Sequence, residues 1–241
     1  YMGTERGLLV YDIRSGRYGQ PAEHSPKDIR AVTLHQGRLW MGSATGLYSC
    51  SLAANDIRLE NRQLQNVYSL LSTPRGLLVG TLGGLALRSS GGSIRRIPIG
   101  NGQQPLVNAL APDRGTQAVW IGTEGALYRY DWRTFQPVAP LMGNSIKSLA
   151  LHGDNIYAGT DNGMFIYNKV SNHISHALHD SRSARSIANN IVWAVFNDRW
   201  GNLWAGTDQG VSEIQRRPFY TYTPLSDITH TGDGNCLHLI F

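Results

Sequence analysis

Six side chains of unlike chemistry recur at one position of a repeated pattern in this 241-residue sequence. Each stands one residue before a small or aliphatic residue, inside a short apolar run such as IRAVTL, VYSLLS or VNALAP. Two cations, an amide, an imidazole and two aromatic rings can hydrogen-bond to and stack on a sugar or a uronic acid. The alternative is that these side chains line a water-filled channel mouth where nothing specific binds. The candidate ligand-binding residues are Arg30, Tyr68, Asn108, Lys147, Trp193 and His238.

The candidate positions belong to a phrase that returns roughly every 40 residues, as in VWIGTEGALYRY and LWAGTDQGVSEI. Short apolar runs between turns at this period are typical of a propeller blade and not of a helical solenoid. A large side chain precedes the central glycine by two residues, which predicts core packing between blades, with sugar stacking as the alternative. The repeats are centred on Gly3, Gly42, Gly80, Gly122, Gly159 and Gly206.

Each repeat predicts four antiparallel strands: an innermost strand, the Gly-Thr strand, a third strand and a variable outer strand. The threonine after the central glycine is expected to bond the turn backbone through its hydroxyl. A second glycine three residues later, such as Gly46 or Gly163, is expected to provide the positive φ of a two-residue hairpin turn. Ala126 replaces that glycine in one repeat.

These strands predict an all-β fold, a β-propeller of four-stranded antiparallel blades with about six repeats, forming a single domain over residues 1–241. The final LHLIF has the pattern of an innermost strand, and the opening YMGTERGLLVYD begins with a Gly-Thr strand. Five repeats are then complete and one is shared between the two termini, unless the chain is a fragment of a longer array. Because Tyr1 stands in the middle of a repeat and no signal peptide precedes it, we expect a piece of a larger protein.

Composition excludes several functional classes. The net charge of +5 comes from scattered residues, which disfavours nucleic acid as a partner. The sequence contains no run of eighteen apolar residues, so no membrane-spanning helix is predicted. The two cysteines, Cys50 and Cys236, lie in apolar runs, have no zinc-ligand spacing and are expected to be buried thiols. We expect no cofactor.

The sequence predicts a binding module and not an enzyme. The six candidate positions lack the carboxylate pair of a glycosidase, and Asp28 is the nearest acid. No nucleophile elbow or phosphate-binding glycine loop is present. A lyase that uses His238, a glycoside hydrolase and a protein-interaction propeller remain alternatives.

Two further segments could in principle hold a metal ion, but no metal site is predicted. The histidines of HISHALH, His173, His176 and His179, alternate sides on the expected outer strand and would not share a face. THTGDGN, residues 229–235, lacks the later acidic ligand of a calcium loop and is interpreted as a linker turn.

The phrase DRWGNLWAGTDQGV resembles the two-component regulator propeller repeat, and all six phrases fit it, LLVGTLGGLALRSS least well. The resemblance implies the periplasmic sensor region of a Bacteroides-type hybrid two-component sensor histidine kinase. It implies a glycan ligand and a homodimer formed through the parent receptor, whose kinase parts lie outside these residues. FYTYTPLSDITHTGDGN looks like the passage between two tandem propellers of such receptors.

Overall fold

The computed structural model describes residues 1–19, 24–53, 56–183, 185–214 and, as a strand, 220–222. The described residues divide into two compact units, one up to residue 110 and the other from residue 111 onwards. In the described part of the chain, no helix is long and apolar enough to cross a membrane. The predicted strand LHLIF, the linker turn THTGDGN, Cys236 and His238 lie outside the described residues.

The first unit is built from antiparallel strands in chain order. Two sheets have four strands, β5 to β8 and β9 to β12, and two further sheets pair β1 with β2 and β3 with β4. The strands are β1 (Met2–Thr4), β2 (Gly7–Leu9), β3 (Tyr11–Asp12), β4 (Arg17–Tyr18), β5 (Ile29–His35), β6 (Arg38–Ser43), β7 (Leu47–Cys50), β8 (Arg58–Asn61), β9 (Val67–Thr73), β10 (Gly76–Thr81), β11 (Gly84–Arg88) and β12 (Ile94–Ile97).

The second unit repeats this plan, and the strand β13 contains the boundary between the units. Three four-stranded sheets run β13 to β16, β17 to β20 and β21 to β24. A 3-10 turn, Ala139–Leu141, follows β16. The strands are β13 (Val107–Pro112), β14 (Val119–Thr123), β15 (Leu127–Tyr130), β16 (Phe135–Pro137), β17 (Ile146–His152), β18 (Asn155–Thr160), β19 (Gly163–Asn168), β20 (Ile174–Ala177), β21 (Val192–Asn197), β22 (Leu203–Thr207), β23 (Gly210–Ile214) and β24 (Tyr220–Tyr222).

The predicted fold class, all-β with four-stranded antiparallel blades, is confirmed by these five sheets. In the segment that resembles a passage between propellers, residues 220–222 form β24, which pairs with β23 and completes that sheet. The rest of that segment lies outside the described residues, so the passage stays a prediction. Ring closure through the two termini stays a prediction.

The Gly-Thr hairpin has the same hydrogen bonds in every repeat. The hydroxyl of Thr81 donates to the carbonyl of Gly84 at 2.9 Å and accepts from the amide of Gly83 at 3.1 Å. This confirms that the threonine satisfies turn backbone groups. Gly84 has a φ of +94°, as predicted, but it is the first residue of β11 and pairs with Thr81 instead of lying within the turn.

In four repeats, those of Gly3, Gly42, Gly80 and Gly159, the central glycine is a seat for the next innermost strand, because a residue of that strand lies against the missing Cβ. A methyl group on Gly42 would overlap the Cγ1 of Val67 and would lie 2.8 Å from its Cβ. In the second unit, a methyl group on Gly159 would lie 2.9 Å from the Cγ1 of Val192. Neither glycine has a positive φ. Glycine is therefore required here because a β-branched side chain of the following sheet occupies the space of its missing Cβ.

Apolar clusters lie between successive sheets on either side of these seats. Trp40, Val67 and Leu77 share one cluster of the first unit, and Trp120, Leu127 and Ile156 share one of the second. The rings of Trp40 and Trp120 are buried, which confirms core packing for these two residues, whereas Tyr1, Tyr157 and Trp204 at the same position are half-buried. Cys50 is buried as expected, and burial raises the pKa of its thiol.

A buried carboxylate joins two sheets of the second unit. Asp113, which follows β13, is 2% exposed and accepts from Lys169 Nζ at 2.8 Å and from Arg129 Nε at 3.2 Å. Burial alone would raise the pKa of Asp113, but hydrogen bonds from Lys169, Thr116 and Arg129 together lower it below 3.8. The charged form of Asp113 therefore stabilises the folded protein.

We expect Gly42→Ala to destabilise the protein by about 1–3 kcal/mol, because its new methyl group must displace Val67 from a packed interface. The free energy of unfolding is measured by urea titration. Gly125→Ala is the matched control, since nothing lies within 4 Å of a Cβ added at that exposed turn glycine. Adding Val67→Ala should recover part of the stability that Gly42→Ala loses. Strict additivity of the two losses in the free energy of unfolding would contradict the claim that Val67 occupies the space beside Gly42.

We expect Asp113→Asn to cost about 3 kcal/mol at neutral pH, because two cations lose a buried partner. Since the folded pKa is depressed, the contribution of Asp113 is complete above its ordinary value of 3.8 and disappears as the pH falls through the folded pKa. Urea midpoints between pH 7 and pH 2 measure this, and the variant should converge on the parent in acid. Asp180→Asn, whose partner Arg182 is exposed, should change nothing measurable; a constant difference across the pH range would contradict the assignment.

Candidate functional site

Four of the six candidate residues occupy the same irregularity of the sheet, a β-bulge in the innermost strand. In β5, Ile29 pairs with Ser43 and Ala31 pairs with Gly42, so that the residue between them has no partner across the ladder. The same shift interrupts β9, β17 and β21. The bulged residues are Arg30, Tyr68, Lys147 and Trp193.

The bulge explains why this position can vary while its neighbours do not. A bulge adds one residue to a strand, leaves it outside the ladder and re-aims its side chain. The residues on either side face the Gly-Thr pair, and the aliphatic one fills the glycine seat of the preceding sheet. Arg30 thus stands between the packed residues Ile29 and Ala31 without sharing their structural role.

In the first unit, the bulged residues of consecutive sheets contact each other. The guanidinium carbon of Arg30 lies 4.6 Å from the centroid of the Tyr68 ring, within the range of a cation–π interaction. Asp28 accepts from Arg30 Nη2 at 2.6 Å and from Nε at 3.2 Å, and Asn66 Oδ1 lies 3.5 Å from Nη1. The guanidinium is therefore enclosed by a carboxylate, an amide and a ring.

This enclosure affects the ionisation of Arg30. Burial alone would lower the pKa of the guanidinium, but the hydrogen bond to Asp28 and the neighbourhood of Tyr68 raise it above its usual value. Asp28 and Asn66 both have a left-handed backbone, with φ of +54° and +49°, in the turns that precede β5 and β9. Asp and Asn tolerate this conformation better than most residues.

In the second unit, the bulged residues form a second pair of the same kind. The Nζ of Lys147 lies 4.5 Å from the centroid of the Trp193 ring. The indole Nε1 of Trp193 donates to Asp208 Oδ1, which fixes the plane of the ring. Trp193 remains 42% exposed. The ammonium group therefore lies over one face of an aromatic ring that is partly exposed to solvent.

The other two candidates add less. Asn108, in β13, is half-buried, and its side chain forms no hydrogen bond with a residue that the structure describes. His238 lies outside the described residues. The structure thus unites the candidates as two pairs, one in each unit. That all six face one channel stays a prediction.

Sequence reasoning missed the polar residues that hold these pairs. Asp28 was noted only as the nearest acid, whereas Asn66 and Asp208 were not considered. Asp28 and Asn66 both stand two residues before a bulge, and Asp208 directly follows the threonine of its repeat. The spacing was therefore visible in the sequence, but the contact between neighbouring repeats that uses it was not.

The histidines of the outer strand bind separate partners. His176 stacks on Phe165 at 3.9 Å, and His179 Nδ1 lies 2.7 Å from the carbonyl of Ile187. His173 Nε2 lies 3.3 Å from the hydroxyl of Ser175. Among the described residues, no group of three His, Cys, Asp or Glu side chains could hold a metal ion.

The repeat that contains Trp193 matches a known family. Residues 186–209 fit the family model described as the two component regulator propeller. The chain carries a two component regulator propeller repeat. The matched residues include β21 with its bulge and β22 with its Gly-Thr pair, so the predicted resemblance is confirmed on the residues that suggested it.

Solved structures place this propeller repeat among extracellular receptor domains. The extracellular domain of the putative one component system BT4673 of B. thetaiotaomicron is 37% identical, with a TM-score of 0.80 over 98% of this chain and 33% of that one. The same domain, described as a putative hybrid two component system, also aligns at 37% identity, with a TM-score of 0.78 over 88% of this chain and 30% of that one. The extracellular domain of BT3049 from the same organism shares the fold, at 19% identity and a TM-score of 0.73 over 89% of this chain and 31% of that one.

The chain with these propeller repeats spans about a third of the length of those extracellular domains. No protein among the curated sequences matches it.

We expect a double-mutant cycle between Arg30→Met and Tyr68→Leu to give a coupling of about 0.5–1 kcal/mol, the size of a partly exposed cation–π contact. Urea titration of the parent, the two single variants and the double variant measures it. Arg30→Met combined with Tyr11→Leu is the control, since Tyr11 stacks on Tyr18 and should be additive. Additivity of the Arg30 and Tyr68 losses would contradict the contact.

Proposed function

We propose that this chain is part of the ligand-sensing region of an extracytoplasmic two-component receptor and that it responds to a glycan. The observation that carries the proposal is the 37% identity, over 98% of the chain, to the extracellular domain of BT4673. In this proposal the segment is non-catalytic and periplasmic, and a histidine kinase and the homodimer contact belong to the parent protein.

The two bulge pairs support a glycan ligand. A sugar presents C–H groups on the faces of its ring and hydroxyl groups around the rim, so it suits a site that combines an aromatic face with hydrogen-bond donors. Tyr68 and Trp193 provide the aromatic faces, and Arg30 and Lys147 provide the donors. These side chains project from packed strands, so a ligand would meet groups that are already positioned.

The alternatives receive less support. For a glycosidase, the two acids that contact bulged residues are already engaged, since Asp28 accepts from Arg30 at 2.6 Å and Asp208 accepts from the indole of Trp193. For a protein-interaction surface, the exposed aromatic residues Trp193 and Trp200 would have to be close together. They lie instead towards opposite ends of β21: Trp193 is at the bulge near its start, and Trp200 is in the turn that follows the strand.

We expect the 241-residue chain to bind at least one member of a panel of neutral and acidic oligosaccharides in isothermal titration calorimetry. Trp193→Ala should weaken that binding about tenfold, because a stacked ring contributes about 0.5–1.5 kcal/mol beyond its buried area. Trp200→Ala removes a ring that is 74% exposed and not at a bulge, and should leave affinity unchanged.

Two results would count against the proposed function. If no oligosaccharide of the panel binds, the glycan proposal is wrong. If the chain converts an oligosaccharide into products detected by chromatography, the enzyme alternative replaces the sensor.

A further inference from the structure

The two cations at the bulges differ in what surrounds them. Arg30 has a carboxylate two residues earlier, Asp28 in the turn before β5, and contacts both of its oxygen atoms. Asn66, at the equivalent position before the Tyr68 bulge, approaches the guanidinium from the next sheet. The charge of Arg30 is therefore already compensated inside the protein.

The same two register positions around Lys147 carry no acid and no amide. Ser145 stands two residues before Lys147, where Asp28 stands before Arg30. Ile191 stands two residues before Trp193, where Asn66 stands before Tyr68. Within the described ranges, no carboxylate lies within 4.0 Å of the Lys147 ammonium, which rests on the Trp193 ring.

The surroundings of Trp193 leave this ammonium available. Asp208 binds the Nε1 edge of the indole, so the ring stays in place without any contribution from Lys147. Lys147 is half-buried and Trp193 is 42% exposed, so both remain reachable from solvent. Asp208 is itself exposed, and water and salt screen its charge.

We propose that Lys147 and Trp193 form a subsite for an anionic substituent of a saccharide, a carboxylate or a sulfate ester, and that Arg30 and Tyr68 do not. The inference rests on the proposed function and names the class of ligand for it. The sugar ring stacks on the indole, and the anion binds the ammonium by a charge-assisted hydrogen bond. Arg30 cannot serve an anion equally well, because Asp28 already occupies its donors.

The test compares matched probes that differ only in charge, titrated into the 241-residue chain. The carboxylate arm uses trigalacturonate and its fully methyl-esterified form. The sulfate arm uses a sulfated galactose disaccharide and its desulfated form. We expect the charged member of at least one arm to bind about 10- to 100-fold more tightly than its uncharged counterpart, the range of a hydrogen bond to a charged group. The arm that shows this preference identifies the anion.

Variants assign the preference to one cation. Lys147→Met keeps the aliphatic stem and should abolish the preference for the charged probe, while Lys147→Arg should keep most of it. Arg199→Met is the matched control, because its guanidinium carbon lies 4.5 Å from the centroid of the Trp200 ring, outside any bulge. This control should change the affinity for the charged probe less than about threefold. Arg30→Met tests the other pair. Because Lys147→Met and Lys147→Arg keep the aliphatic stem, the thermal midpoints of these two variants should stay close to that of the parent.

The outcomes separate this inference from the proposed function. Equal or tighter binding of the uncharged probes would overturn the anionic subsite and leave glycan sensing intact. Loss of the charge preference in Arg30→Met, but not in Lys147→Met, would assign the anion to the other pair and overturn the inference. If none of the four probes binds, the anionic subsite is rejected, while binding of neutral members of the wider panel would still support glycan sensing.

Discussion

The space left by a missing side chain determines how successive sheets fit together. At Gly3, Gly42 and Gly80, a β-branched residue of the next innermost strand lies where a Cβ would be. Two sheets can approach each other this closely only if the residue of one sheet at the contact has no side chain. The buried tryptophans, the threonine hydroxyl bonds and the apolar clusters are all arranged around that approach. The repeat therefore depends less on its tryptophan, which Tyr1, Leu78 and Tyr157 replace in three copies, than on its glycine.

Three charged side chains of the two units differ in whether they have a partner of opposite charge. Asp113 is buried and satisfied by two cations, and the half-buried Arg30 is satisfied by Asp28. A charge withdrawn from water without a partner is costly, so such pairing is expected. Lys147 departs from this pairing because its ammonium lies over the Trp193 ring and forms no ion pair with a carboxylate among the described residues. A departure from local consistency in an otherwise regular scaffold is where function is usually found.

The sheets could be predicted from the sequence because their signals are local. The alternation around Trp120, the Gly-Thr phrase and the glycine that follows it each depend on a few adjacent residues. The outer strand β24 was harder to predict, because it starts in a segment that has no strong apolar pattern and that resembles a passage between propellers. The positions of the candidate residues could be predicted, because six dissimilar residues stand at the same position of the repeated sequence. The pairing of Arg30 with Tyr68 was not, since it depends on a bulge and on contact between residues 38 positions apart, for which no local signal exists.

The bulge also bears on how such a protein can change over time. A bulged residue has no partner in the strand ladder and fills no seat, so replacing it alters what the surface attracts and changes the free energy of unfolding only by the contacts of its own side chain. Recognition and stability are thereby carried by adjacent but separate residues of one strand. A single nucleotide change at such a codon could exchange one ligand preference for another without a compensating mutation elsewhere. The packed strands of each sheet would then stay constant while the few bulged residues change.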